Sequence, residues 1–366
     1  MPSEQKQYCP YSASIEVQKP DEEQVFSEIA SRMKHISELV SDRARHATRS
    51  VHAKSHGLLK AELTVLDGLP EPLAQGMFQR VRSYPAIMRF STVPGDILAD
   101  SISTPRGLGV KVIGVEGPML PEHQGEVTQD LVTINGKAFP SADSASFLEG
   151  VKLLEKHVND SEAFKQLVST AARTTEAVLE AVGTESATLK GFGHRQTHIL
   201  GETFCTAAPL RYGNYMAKIC LEPTSQNLKD LKDKPLDAGT SHSALRDAVV
   251  DFFKTGEAIW DVKVQLCVDL EKMPIEDASV QWPEELSPYI TVARLVAPPQ
   301  DAYSAARRLY VDEILSFNPW HALEAHRPLG NIMRARKKSY AASSQFRHAT
   351  NGNPASEPRS IAELPA

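Results

Sequence analysis

Leu58-Leu-Lys-Ala-Glu-Leu-Thr-Val-Leu66, closed by Asp67-Gly68, is the stretch on which the fold turns. It reads as a strand running into a turn, and it marks a change of texture along the chain. Before it the pattern is helical: from Glu22 to about Ser41, apolar residues recur at Val25, Ile29, Met33, Ile36 and Val40. After it come more short β-rich runs, Ala86–Thr92, Gly107–Val115 and Asp130–Asn135, punctuated by Pro94-Gly-Asp and Glu116-Gly-Pro. A helical interval is expected over roughly Ser144–Val182, where Phe147, Val151, Leu154 and Val158 share a face. Strands are expected again at about Thr197–Thr206, Tyr215–Leu221, Trp260–Leu270 and Ile290–Val296. Eight or so strands with helices between them predict an α+β fold, an antiparallel barrel or sandwich with helical insertions.

Outside that block, residues 1–20 read as a loose arm. Tyr303–Leu315 and about Asn331–Phe346 read as helices, separated by a Phe317-Asn-Pro-Trp break. The stretch after Ala349 is rich in Asn, Pro, Ser and Glu, which predicts a disordered tail over 349–366. The domain division expected is an arm and helix over 1–44 and a barrel domain over 45–348.

Totals narrow the function classes. A chain of 366 residues can bury a full core, and 41% hydrophobic with 23% charged residues is ordinary for a globular protein. The net charge of −6 argues against nucleic acid as a partner. No run approaches the ~18 apolar residues of a membrane span, and Met1-Pro-Ser-Glu-Gln-Lys-Gln7 lacks the apolar core of a signal peptide. Cys9, Cys205, Cys220 and Cys267 are widely spaced with no CxxC pair, so neither a zinc site nor a disulfide framework is suggested, and a cytoplasmic location fits. Nucleotide, esterase and metalloprotease motifs are missing.

Four clusters carry chemistry. Arg336-Lys-Lys-Ser-Tyr340 and Phe346-Arg347-His348 place Arg336, Tyr340 and Arg347 within roughly 40° of one another on a helix. An arginine one turn before a tyrosine favours the phenolate, a hard anion suited to ferric iron. The plainer reading is an exposed basic helix. Arg49-Ser-Val51-His52-Ala-Lys-Ser-His56 lies where the helical arm meets the first strand; its histidines read alone as structural. In Met88-Arg89-Phe-Ser91-Thr92 a strand would point Arg89 and Ser91 to one side, and the serine could orient an imidazole through Nδ1. Alone it is a solvent-facing edge. Asp130-Leu-Val-Thr-Ile-Asn135-Gly136 reads alone as a strand ending in a turn.

Taken together, Arg49-x-x-His52-Ala-Lys, Arg89-Phe-Ser-Thr92-Val, Pro105-Arg-Gly107, Asp130-Leu-Val with Asn135, and Arg336-x-x-x-Tyr340 with Arg347 resemble the haem catalases in order and spacing. The resemblance covers roughly residues 45–348. Phe317-Asn-Pro-Trp-His-Ala-Leu and His326-Arg-Pro-Leu-Gly330 further resemble the small catalase-related branch. It implies a catalase-like antiparallel barrel of about eight strands with a C-terminal proximal helix. It implies haem b, with Tyr340 as the iron ligand and Arg336 keeping it ionised. His52 would be the distal acid/base, Asn135 its companion, Ser91 its orienter, and Val51 the cover over the distal face. Arg49, Arg89 and Arg347 would take the haem propionates.

The implied activity is cleavage of hydrogen peroxide, with peroxidatic reduction of organic hydroperoxides at the expense of small organic electron donors. The implied assembly is a homo-oligomer, dimer or tetramer. Two other readings stay open: a fatty-acid hydroperoxide isomerase or lyase of allene oxide synthase type, and a non-catalytic haem carrier or sensor. The isomerases carry threonine just before the distal histidine, where this chain has Val51. Other departures are Ser55, where a glycine usually follows the Ala-Lys, and Asp100-Ser-Ile-Ser-Thr-Pro, which lacks the usual charged pair before Pro-Arg-Gly. Phe139 and Phe147 are the candidates for distal phenylalanines. The wrapping segment and extra domain of large catalases are not expected.

Overall fold

A computed structural model describes residues 7–160, 196–239 and 241–366. Among the described residues nine antiparallel strands form one sheet: β1 Lys54–Val65, β2 Ser83–Thr92, β3 Arg106–Ile113, β4 Thr128–Ile134, β5 Phe204–Cys205, β6 Leu210–Tyr212, β7 Tyr215–Pro223, β8 Ala258–Leu266 and β9 Ile290–Ala297. Their order is β5-β4-β3-β2-β1-β9-β8-β7-β6, and an added β5–β7 pairing closes eight strands into a barrel with β6 laid beside β7. Closure leaves the ring without a free edge.

Alternation along each strand divides inside from outside. Met88 and Phe90 of β2, and Leu108, Val110 and Val112 of β3, join Leu59, Leu63, Trp260 and Val262 in the core cluster. The residues between them face out. The closing seam is short: Phe204 pairs Leu221 and Cys205 pairs Cys220. There the structure corrects the cysteine reading, because Cys205 and Cys220 form a disulfide. Spacing could not reveal a pair brought together only by barrel closure.

Helix α1 spans Glu22–Ala44, α2 Ser144–His157, α3 Ala244–Phe253 and α4 Asn331–Asn351. Phe26, Ile29, Met33, Ile36 and Val40 of α1 pack with Leu148 and Val151 of α2 and Ala335 of α4. Burying each such side chain contributes about 1.5–3 kcal/mol. Arg334 clamps the start of α4 to Glu16, Glu22 and Glu276 at 2.7–2.9 Å. The chain enters α4 through Gly330 at φ 88°, where a Cβ would fall 2.1 Å from Ile275 O. No helix among the described residues is long and apolar enough to cross a membrane.

Several expectations shift. The part of the expected Ser144–Val182 helix beyond 160 lies outside the described residues. Of Thr197–Thr206 only Phe204–Cys205 is strand; the His198 side chain accepts the Leu200 N–H and starts a 3-10 turn over Ile199–Gly201. The Tyr303–Leu315 helix is four α-helical residues, Ala305–Arg308, followed by a π-helical turn, Leu309–Ile314. Helix α3, unforeseen, buries Leu245, Val249 and Phe253 in the barrel core.

The arm and the tail are both docked. Cys9 N–H donates to Cys267 O and Tyr11 N–H to Asn214 O. The expected disordered tail instead runs back over the barrel. Helix α4 continues to Asn351, Leu364 is fully buried beside Leu58, Ile87 and Ile113, and Glu357 pairs with the fully buried Lys111 at 2.6 Å. Lys111 also meets Asp130 at 2.7 Å. Burial, with Glu357 adding to it, pushes Asp130 up to about 7 against the pull of Lys111. A polar-rich composition could not show these anchors, which are single residues.

Candidate active site

The outer face of β2 and β3 is the wall of the site. Register sets Arg89 opposite Gly109 and Ser91 opposite Gly107. The two glycines bare a strip of backbone, and two rings press onto it. A Cβ on Gly107 would lie 2.7 Å from His52 Cε1 and 2.8 Å from its Nδ1; one on Gly109 would lie 2.8 Å from Phe317 Cδ1. A Cβ essentially never comes so close to a neighbouring atom, so both rings need glycine beneath them.

His52 precedes β1 with φ at 53°, the left-handed region that side-chain-bearing residues rarely adopt. Holding it there costs on the order of 1–3 kcal/mol. Arg89 Nη2 secures the turn by donating to His52 O at 2.9 Å and Ala53 O at 3.1 Å. His52 Nδ1 lies 3.2 Å from Ser91 Oγ, which in turn reaches Gly107 O at 3.4 Å. With the serine proton directed to that carbonyl, Ser91 accepts the Nδ1–H and Nε2 is left as an acceptor. Burial, then the charges of Arg89 and Arg336, lower the His52 pKa to about 3. The imidazole is therefore neutral and open to a proton at Nε2; among the described residues none bonds that nitrogen.

On α4, Arg336 Nη2 donates to Tyr340 Oη at 2.8 Å, with the guanidinium 5.1 Å from the ring centroid. Ser50 N–H donates to Ser343 Oγ at 3.2 Å and ties the His52 loop to this helix. His52 and Tyr340 thereby line one cavity of about 890 Å³, together with Val51, Met33, Phe317 and Arg347.

Three arginines gather at one side around the π-helical turn. Arg49 donates to Asp312 Oδ1 at 3.0 Å and to the carbonyls of Val311 and Leu315; Arg89 Nε donates to the same Oδ1 at 2.9 Å. Arg347 takes the carbonyls of Asp312, Glu313 and Leu315 at 2.6–3.0 Å. A π-turn leaves carbonyls free of regular helical bonds, which suits this use. Burial pushes Asp312 up, but Arg89, Arg49 and the Ser55 hydroxyl at 2.6 Å outweigh it and hold the carboxyl below its usual range. Burial lowers Arg49 and brings Arg347 to about 10.

The donor set fits haem. Arg49 and Arg89 share one paired carboxylate, Asp312, and among the described residues no carboxylate lies within ion-pair distance of Arg347, whose strongest acidic influence is Glu313. Arg347 Nε is buried and unpartnered. The remaining positive charge suits a ligand bearing carboxylates, while the bare glycine strip admits a flat ring system and Tyr340 offers a hard oxygen donor.

The structure brings His52, Ser91, Val51, Arg49, Arg89, Arg347 and Tyr340 to the cavity, with Arg336 just behind Tyr340. It does not bring Asn135. Strand β4 ends at Ile134, and Asn135 turns away: Oδ1 accepts Arg106 N–H at 2.9 Å and Nδ2 donates to Glu202 at 2.8 Å. Phe139 and Phe147 pack on each other, centroids 5.6 Å apart, and neither lines the cavity. Sequence reasoning missed Asp312 and Phe317. Phe317 stood in the Phe-Asn-Pro-Trp break, and the departure at Ser55 was a signal for Asp312.

The family model described as Catalase matches residues 26–355. Among solved structures the chain is similar to a fungal catalase (TM-score 0.60, 18% identity, 85% of this chain and 61% of that one). It is similar also to a bacterial catalase (0.59, 19%, 86% and 60%) and to catalase A from Saccharomyces cerevisiae (0.61, 17%, 85% and 64%). At these identities the likeness is one of fold, and the chain spans about three fifths of the length of these proteins. No curated protein matches it.

Proposed function

The chain belongs to the catalase family, and from that premise we propose that it is a haem-dependent oxidoreductase that cleaves hydrogen peroxide. The observation that carries the reading is the neutral His52, held by Ser91 on the bare backbone of Gly107, in the same cavity as the Arg336–Tyr340 pair. Haem b, when bound, would supply the iron at which the O–O bond breaks.

The chain's own residues divide the remaining work. Tyr340 would hold the iron through its phenolic oxygen, to which Arg336 Nη2 donates at 2.8 Å. Arg49, Arg89 and Arg347 would take the two propionates. His52 accepts the peroxide proton at Nε2 and returns it to the leaving oxygen, general acid–base catalysis worth about 10²–10⁴-fold. Ser91 fixes the tautomer that makes this possible. Val51 covers the distal side and keeps it apolar.

The same site would take organic hydroperoxides, with small organic molecules as electron donors, in a homo-oligomer. The rival reading, a fatty-acid hydroperoxide isomerase, is disfavoured by Val51, which offers His52 no hydrogen bond. The test is a steady-state comparison of hydrogen peroxide, cumene hydroperoxide and linoleic acid hydroperoxide on haem-loaded protein. Oxygen release from hydrogen peroxide supports the proposal. Allene oxide products with negligible oxygen would replace it by the isomerase reading.

A further inference from the structure

The cavity wall holds a second cluster that the peroxide chemistry does not use. His123 and Glu126 lie in the turn before β4, where Glu126 N–H donates to His123 O. His123 Nδ1 is 2.9 Å from Glu126 Oε2. His321, from the break before α4, places Nε2 3.1 Å from that same oxygen. The three donor atoms lie within 4.8 Å of one another, and all three residues line the cavity. Ile134 pairs Gly107 at one end of β4 and Thr128 pairs Ile113 at the other. The cluster, beside Thr128, is therefore roughly 20 Å along the strand from the His52 contact.

We propose that His123, Glu126 and His321 bind one divalent first-row transition ion. Bonds of about 2.0–2.2 Å at angles between 90° and 109° put neighbouring ligand atoms about 2.9–3.5 Å apart. Both observed separations fall there. Among the described residues no lysine or arginine pairs with Glu126, whose carboxylate faces two imidazoles; a cation supplies the missing charge. Two histidines and one carboxylate form a set that zinc and non-haem iron both use, with positions left open for water or ligand.

The surroundings are those of a supported site. The backbone of His321 is fixed by its N–H to Asn318 O and by its carbonyl accepting Asp130 N–H, both at 2.9 Å. Glu357 Oε1 stands 3.9 Å from His321 Nδ1, where it would orient the ring with Nε2 toward the ion. Thr128 Oγ1, 2.6 Å from Nε2, also reaches Glu357 at 3.3 Å and turns to it when Nε2 is ligated. The ion would join the turn before β4 to the segment leading into α4, and so fix that side of the cavity.

The test is calorimetric titration of chelator-treated, haem-loaded full-length protein with Zn²⁺, alongside metal analysis. His123→Ala and Glu126→Gln are the variants, since neither residue is buried. Wild type should bind one Zn²⁺ per chain, and each variant should bind at least 10-fold more weakly. Haem content, read from the Soret band, shows whether each variant is folded. Absence of zinc binding in wild type, or unchanged affinity in two folded variants, would overturn the proposal.

Discussion

The His52 ring lies directly on Gly107, where a Cβ would come within 2.7 Å of its Cε1. Ser91 stands opposite Gly107 in the ladder and 3.2 Å from His52 Nδ1. One pair of facing strand residues thus sets both the height and the tautomer of the imidazole. Gly107→Ala should lift the ring off the wall and lower peroxide turnover by about 10²-fold, the loss expected when a proton shuttle is displaced. Haem content should stay near one per chain. Turnover within twofold of wild type in folded Gly107→Ala would refute this packing.

Asp312 balances Arg49 and Arg89. Asp312→Ala should leave two buried cations uncompensated and cost about 3–5 kcal/mol. The propionates of haem would replace the lost charge, so haem should raise the melting temperature of the variant more than that of wild type. An equal haem-induced rise in both proteins would argue against the arginines as propionate ligands.

The tail is predicted to be structural. Removing residues 355–366 deletes the Glu357 partner of the buried Lys111 and the buried Leu364. Loss of the leucine alone should cost about 2–5 kcal/mol. Thermal unfolding of the truncated chain is the check; a melting temperature equal to wild type would restore the tail as dispensable.

Acid should destabilise the fold before the ordinary carboxylates titrate, the raised Asp130 opposing part of the effect. Burial is the main cause that lowers His52 to about 3 and His198 and His326 to about 4. Unfolded histidine titrates near 6.5, so below that pH the unfolded state binds more protons than the folded one. Stability is therefore full above about pH 6.5 and falls as pH drops toward 4, by about 1.4 kcal/mol per unit for each histidine. Calorimetric melting temperatures at pH 7.5 and 5.0 should differ by roughly 5 °C, the lower value at pH 5.0. A higher melting temperature at pH 5.0 would reverse the sign and reject neutral buried histidines.

Much of the barrel was legible because strand periodicity is local: the long strands β1 to β4 and β7 to β9 were anticipated within a few residues. Short or tertiary features were not. The three-residue β6 carries no period, and the Cys205–Cys220 seam exists only once the ring closes. At the site, the same-side relation of Arg89 and Ser91 follows from strand alternation and was readable. The fate of Asn135 was not, since one residue past the end of β4 its direction depends on Arg106 and Glu202. Asp312 was signalled only indirectly, through Ser55, because its partners Arg49 and Arg89 lie far away in sequence.

The proposed chemistry depends on His52 moving the peroxide proton. Stopped-flow mixing of hydrogen peroxide with haem-loaded wild type and His52→Ala tests it most directly, with haem content measured in both. Both proteins should bind haem, and the peroxide cleavage rate should be at least about 10²-fold lower in the variant. A variant that keeps its haem and cleaves peroxide at the wild-type rate would contradict that role for His52.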